Sequence, residues 1–263
     1  MRLGVCGWPV AHSRSPQMHN AALAELGLHT WRYQKLPLPP DLFEPTVRAL
    51  PKAGFRGVNV TIPHKEAALR LADKATETAQ RIGAANTLTF EPDGTIHADN
   101  TDATGFLTSL KTSAYEKTAL VLGSGGSARA VLYALQQAGV KELRVWNRTA
   151  AKAEALAREF GAVPSAEPAQ IIVNCTSVGL HDPAATFKDL PLQADDLGAG
   201  CTVVDMVYRD GGTLLLNTAK ANGAEVVDGL EILVAQGAAS LERWTGRTAP
   251  DQAMREAVTD IAR

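Results

Sequence analysis

The sequence of 263 residues holds only three cysteines, Cys6, Cys175 and Cys201. They are odd in number, far apart and set in apolar strand-like runs, which excludes a disulfide framework and leaves buried free thiols as the expectation. Its six histidines show no ligand spacing, such as two on one helical face, so no metal site is expected. No apolar run reaches the roughly 18 residues of a membrane span. The opening "RLGVCGWPV" is too short and too interrupted for a signal peptide, so a cytoplasmic protein is expected. Neither sign of charge prevails: 26 basic and 28 acidic residues leave a net charge of −2. No basic block or arginine stripe offers a surface to nucleic acid or to an anionic membrane. What remains is an ordinary globular composition, 45% apolar and 21% charged, in a chain long enough for one large or two ordinary domains. The expected partner is a small molecule, and a homodimer is left open.

Short β-branched runs alternate along the chain with longer amphipathic ones, the pattern of βα units around a mostly parallel sheet. The pattern occurs twice. The first third reads as strand "LGVCGW", helix "SPQMHNAALAELG", strand "TWRYQKLPL", helix "PPDLFEPTVRALPKAG", strand "GVNVTIP" and helix "KEAALRLA". Pro16 suits a first helical turn and Gly27 a helix end. "NTLTFEPDGTIHAD" follows as a hairpin turning on Asp93-Gly94, and "DATGFLTSLKTS" as a helix. The second series runs through "ALVLGSGGSARAVLYALQQAG", "ELRVWNRT", "AAKAEALAREFG", "IIVNCTSVGL" and "TVVDMVY" to "AEVVDGLEILVAQGAASLERWTG". The Pro-, Asp- and Gly-rich stretch from His181 to Gly200 is expected to be a long surface loop.

Gly123-Ser124-Gly125-Gly126-Ser127-Ala128 lies between a strand and a helix whose apolar Ala128, Val131, Leu132 and Leu135 share one face. In that context G-x-G-x-x-A is a good dinucleotide signature. Gly123 permits the tight turn, Gly125 lets the backbone approach a pyrophosphate, Ala128 allows close packing, and the helix N-terminus offers free N–H groups to phosphate. A NAD site usually closes the next strand with an acid. Here the strand closes with Asn147-Arg148-Thr149. Arg148 suits a 2′-phosphate, and Asn147 and Thr149 can add hydrogen bonds, so NADP is favoured.

The second series offers little for moving a proton: its strand ends carry Thr176-Ser177, Asp205 and Tyr208, with no convincing acid–base pair. The first offers more. Ser13 and Ser15 stand two apart after the first strand, although a Ser-Pro at a helix start is also an ordinary N-cap. Thr61 and Lys65 follow the third strand, at the edge where open α/β sheets bind ligands, and Asn86 and Asp102 each close another strand-like run. Lys65 and Asp102 are best treated as a coupled pair; a plain surface ion pair is the alternative.

Taken in order, "SRSPQMHN", "NVTIPHK", "GAANT", "DNTDATGF", "LGSGGSARA", "WNRT", "NCTSVG", "VVDMVY" and "DGLEILVAQGA" make a chain that resembles the shikimate dehydrogenases over essentially its whole length. The resemblance implies an N-terminal α/β substrate domain with a mostly parallel sheet, residues 1–102 completed by C-terminal helices in 237–263. It implies a doubly wound Rossmann domain for NADP in residues 103–236. Ser13, Ser15, Thr61, Asn86, Asp102, Tyr208 and Gln236 would surround shikimate or 3-dehydroshikimate, with Lys65 and Asp102 as the catalytic pair. Gly123, Ser124, Gly125, Gly126 and Ser127, Asn147, Arg148, Thr149 and Lys152, and Thr176, Met206 and Gly229 would hold NADP. The implied reaction is NADPH-dependent reduction of 3-dehydroshikimate to shikimate, on the route to chorismate and the aromatic amino acids. Ser124 and Ser127 depart from the alanines common in similar sequences. Two rivals remain: a quinate/shikimate dehydrogenase that also uses NAD, against which Arg148 argues, and a non-catalytic NADP-binding regulator, which has no need of Lys65 and Asp102.

Overall fold

A computed structural model describes residues 1–259, and the last four residues of the expected C-terminal helical segment, 260–263, lie outside the described part. The chain divides into two compact units: Met1–Gly105 together with the segment from Leu233, and Phe106–Ile232. It passes from the first unit to the second within one helix and returns within another.

The first unit runs β1 (Arg2–Gly7), α1 (Ser15–Glu25), β2 (Arg32–Pro37), α2 (Pro40–Ala49), β3 (Phe55–Val60), α3 (Lys65–Leu71), β4 (Lys74–Ala75), α4 (Glu77–Ile82), β5 (Thr87–Phe90), β6 (Ile96–Asp99) and the start of α5 (Asp102–Ser109). Its sheet has the order β2-β1-β3-β5-β6-β4. β1 pairs in parallel with β2 and β3, whereas β5 is antiparallel to both β3 and β6. The hairpin turns at Asp93-Gly94, where the Asp93 carboxylate accepts from the Thr95 N–H at 2.9 Å. The short helix α4 and strand β4 are additions to the sequence reading. Thr76 caps α4 by accepting from the Ala79 N–H, yet the helix is only six residues long, too short for a periodic signal. The core packs Phe43, Val47, Val58, Val60, Leu71 and Leu88 together.

The second unit continues through β7 (Thr118–Leu122), α6 (Gly126–Gln137), β8 (Glu142–Trp146), α7 (Ala150–Phe160), β9 (Val163–Pro164), β10 (Ile171–Asn174), α8 (Thr186–Asp189), β11 (Thr202–Asp205), α9 (Leu214–Ala221), β12 (Glu225–Val227) and the start of α10 (Gly229–Thr245). α10 carries the chain back to the first unit, and α11 (Asp251–Thr259) ends the described part. The sheet order is β12-β11-β10-β7-β8-β9, parallel throughout. This is the doubly wound 3-2-1-4-5-6 order, with the topological switch between β7 and β10. Strands such as "IIVN" and "TVVD" are buried along their full length, as parallel strands covered on both faces must be.

The expected surface loop from His181 to Gly200 is instead part of the fold. It contains α8 and two single 3-10 turns, and its Leu190, Leu192 and Leu197 join the core with Leu120, Ile172 and Leu215. Apolar leucines spaced through a Pro/Asp/Gly-rich stretch gain more from burial than the turn residues lose. Of the cysteines, Cys6 is buried, and burial pushes its thiol up to about 12. Cys175 and Cys201 are thiols outside any disulfide but only half-buried, because each stands at the margin of its strand rather than inside it.

Candidate functional site

The site in the first unit is built where β1, β3 and β6 end and β5 begins. Asn86 stands just before β5 rather than closing a strand, contrary to the sequence reading. Because β5 runs against β3, its start lies on the same rim as the ends of β3 and β6. That reversal gathers Thr61 after β3, Lys65 at the head of α3, Asn86 before β5 and Asp102 at the head of α5.

Lys65 Nζ donates to Asp102 Oδ2 at 2.6 Å, and both side chains are buried. Asp102 Oδ1 accepts from Asn86 Nδ2 at 2.9 Å, so each carboxylate oxygen has a donor. Asn86 Nδ2 also lies 3.1 Å from Gln236 Oε1, and Gln236 is held on α10 through its own Nε2 donating to the Leu233 carbonyl. Lys65, Asn86, Asp102 and Gln236 therefore form one bonded cluster. Thr61 is half-buried on the same rim, its N–H donating to the Cys6 carbonyl. Ser13 and Ser15 are buried in the connection leaving β1. Ser15 is the first helical residue rather than a cap; Ser13 Oγ accepts from the Ser15 N–H and lies 3.2 Å from Ser15 Oγ.

Behind the cluster lies a layer of buried polar groups that the sequence reading did not single out: Asn59, Thr87, Thr101 and Ser240. Asn59 Nδ2 donates to Ser240 Oγ at 2.9 Å, and Asn59 Oδ1 accepts from the Tyr33 hydroxyl at 2.8 Å. For Asn59, Thr87 and Thr101 the only sequence signal is membership of "NVTIPHK", "GAANT" and "DNTD", where neighbours carried the argument, and Ser240 lies in none of these stretches. Next to this layer His19 is fully buried and stacked on Tyr33, with ring centroids 4.2 Å apart. Burial pushes its pKa down to about 3, with Asn59 pulling the other way, so the ring is neutral.

In the second unit the glycine loop follows β7. Gly123 has φ +117, and a Cβ there would stand 3.2 Å from the Cys175 carbonyl group. The space above Gly125, the N-cap of α6, is open, while Ala128 is fully buried on the helix's inner side. Ser124, Gly126 and Ser127 are half-buried around this N-terminus. Asn147, Arg148 and Thr149 connect β8 to α7: Asn147 Nδ2 donates to the Thr149 carbonyl, Thr149 is the N-cap, and Arg148 is exposed. Exposed Lys152 lies in the first turn of α7, which has no acid. Two cations at the positive end of a helix are unfavourable unless an anion joins them, and this arrangement fits a dinucleotide bearing a 2′-phosphate.

Thr176 is half-buried after β10; its hydroxyl donates to Asn174 Oδ1 at 2.7 Å and accepts from the Val178 N–H. Asn174 Nδ2 in turn donates to Asp205 Oδ1 at 2.9 Å, tying the ends of β10 and β11 together. Burial pushes the Asp205 carboxyl up to about 6, against hydrogen bonds from Thr213, Val207 and Asn174. Half-buried Met206 follows, its N–H donating to the Asn174 carbonyl. Tyr208 is half-buried beyond it, and Gly229 is buried at the head of α10. Tyr208 thus belongs to the second unit, whereas every other residue expected around the substrate belongs to the first.

Comparison with known proteins shows the family. Residues 5–88 match the shikimate dehydrogenase substrate binding domain, residues 107–175 the shikimate / quinate 5-dehydrogenase family, and residues 229–259 the shikimate 5′-dehydrogenase C-terminal domain. A shikimate dehydrogenase (NADP(+)) of Paracoccus denitrificans is 45% identical over 97% of this chain and 94% of its own. The crystal structure of shikimate 5-dehydrogenase from Thermus thermophilus in complex with NADP(H) and shikimate is 44% identical, covers 99% of both chains and has a TM-score of 0.89. A ligand-free 5-ketofructose reductase of Gluconobacter is 32% identical, with a TM-score of 0.86 over 99% of this chain. With relatives of such identity along nearly its full length, the chain belongs to the shikimate dehydrogenase family.

Proposed function

We propose that this protein is an NADP-dependent shikimate dehydrogenase that interconverts 3-dehydroshikimate and shikimate, with the first unit taking the substrate and the second the cofactor. The observation that carries the reading is the buried Lys65–Asp102 pair, bonded through Asn86 to Gln236 on one sheet rim. The 5-ketofructose reductase shares the fold, so the fold alone leaves the substrate open. The 45% identity to an NADP-dependent shikimate dehydrogenase supports the narrower assignment.

Gly123 to Ser127, Arg148 and Lys152 would hold the NADP phosphates, and Thr176, Met206 and Gly229 would border the cofactor. When bound, the reduced cofactor supplies the hydride for the ring ketone. Lys65 then stabilises the developing alkoxide and gives it a proton from Nζ; in the reverse direction Nζ takes the hydroxyl proton. Asp102 holds the Lys65 amine in place with one oxygen and keeps the other on Asn86. Asn86 and Gln236 fix the substrate hydroxyls, and Ser13, Ser15 and Thr61 complete its surroundings on the first unit. Positioning and alkoxide stabilisation supply most of the rate in such a site.

The test is nicotinamide absorbance with purified protein, comparing shikimate with quinate and NADP with NAD. Rapid reduction with shikimate and NADP alone is the expected result. Equal use of quinate or NAD moves the protein to the broader quinate/shikimate type. Binding of NADP with no turnover of either substrate leaves only a regulator.

A further inference from the structure

The orientation of the Asn86 carboxamide decides whether Asp102 has a donor on its second oxygen. Asn86 Oδ1 lies 2.8 Å from the Thr101 backbone N–H, a group that can only donate, so the oxygen must face it. Nδ2 is thereby turned toward Asp102 Oδ1 and Gln236 Oε1. The Thr87 hydroxyl donates to the same Oδ1 at 3.0 Å, and it is fully buried. Around it stand Ser240 Oγ at 2.8 Å, Asn59 Nδ2 at 3.2 Å and Thr101 Oγ1 at 3.2 Å. With its own proton given to Asn86, the Thr87 hydroxyl accepts from Ser240 Oγ, whose other acceptor within reach is the Gln236 carbonyl on α10 at 3.0 Å. Thr87 therefore sits at the crossing of three elements, β5, the segment before α5, and α10. It bonds to the amide that sets Asp102.

We propose that Thr87 is a positioning residue for the reaction: its hydroxyl, braced by Ser240 and Asn59, locks the Asn86 carboxamide and so holds Asp102 in the register that Lys65 needs. The inference rests on the shikimate dehydrogenase reading above. A network of this kind is rigid when complete, and loss of one member leaves its neighbours seeking other partners. Without the Thr87 hydroxyl, Asn86 loses one of the donors that hold its oxygen, and the carboxamide gains freedom to swing away from Asp102. Small displacements at a reacting centre are costly in rate, about a hundredfold for one ångström.

The experiment pairs Thr87→Val, which keeps the shape and removes the hydroxyl, with Thr87→Ser, which keeps the hydroxyl. Steady-state rates with shikimate and NADP, the pH profile of kcat, and NADP binding followed by cofactor fluorescence are measured for both variants and the wild type. Thr87→Val should lose about ten- to a hundredfold in kcat and show a displaced pH profile. Its NADP affinity should be unchanged, because the groups expected to hold NADP belong to the other unit. Thr87→Ser should recover most of the rate. A Thr87→Val enzyme at the wild-type rate, or equal losses in Val and Ser, overturns the inference. If Thr87→Val does not fold, Ser240→Ala carries the test: it removes the brace from a helix that accepts alanine well, and a wild-type kcat there overturns the proposal equally. Absence of shikimate turnover in the wild type would instead sink the functional reading itself.

Discussion

Lys65 Nζ and Asp102 Oδ2 stand 2.6 Å apart, from the heads of two helices, although 37 residues separate them in the chain. Both are buried, which makes them a paired charge at the sheet rim rather than a solvated surface contact.

In the proposed reaction that pair moves the proton. Lys65→Ala should lower kcat by about 10²- to 10⁴-fold while KM for shikimate stays within a few-fold. Steady-state kinetics decide it: a large rise in KM at unchanged kcat would make Lys65 a binding residue.

Arg148 is exposed two residues ahead of α7, with Lys152 in the first turn. Removing a charge-assisted bond to a phosphate costs about 1.5–3 kcal/mol, so Arg148→Ala should raise KM for NADP about ten- to a hundredfold. KM for NAD, which has no 2′-phosphate, should change little. Equal effects on both cofactors would place Arg148 elsewhere than at that phosphate.

The neutral His19 makes the fold sensitive to acid. Burial holds its pKa at about 3, below the ordinary 6.5 of the unfolded chain. Below 6.5 the unfolded state takes up a proton that the folded state refuses. The contribution is complete above 6.5 and is lost as pH falls through the interval toward 3. From about pH 7 to about pH 4.5 the wild type should lose about 2.5 kcal/mol more than His19→Phe, which keeps a ring against Tyr33. Urea unfolding at the two pH values measures the difference, and parallel losses would refute it.

Gly105 is packed so closely on α10 that an added Cβ would come within 2.7 Å of the Gln236 backbone nitrogen. That atom cannot rotate away, so Gly105→Ala must push the main chain carrying Gln236. About 1–3 kcal/mol of stability should be lost. KM for shikimate should rise several-fold as Gln236 leaves Asn86. Chemical denaturation and kinetics on the same preparation check both effects.

Much of this was legible along the chain. The strands of the second unit stood out because strands buried on both faces are apolar without interruption, and the glycine loop because strand, turn and helix follow in order. Elements lacking such local signals were missed. α4 is too short to show a period, and the leucines of 190–197 are hidden among turn formers whose local preferences point outward. In the site, Lys65 and Asp102 carry charge and draw notice, whereas Thr87, Thr101 and Ser240 are small neutral residues that look alike in or out of a network. Thr87 and Ser240 are 153 residues apart, and nothing in the spacing says that their hydroxyls meet.

The sequence by itself determined the α/β class, the glycine loop, the Asn-Arg-Thr strand end proposed to select NADP, and the residues proposed to move a proton. All of these depend on periodicity or on side chains within a few positions of one another. The tertiary structure alone decided that β5 runs against β3, which puts Asn86 on the rim with Lys65 and Asp102, and that α10 brings Gln236 and Ser240 to them. Strand direction and helix return are settled by burial over the whole unit, and contacts between distant segments leave no period in the chain for a reader to find.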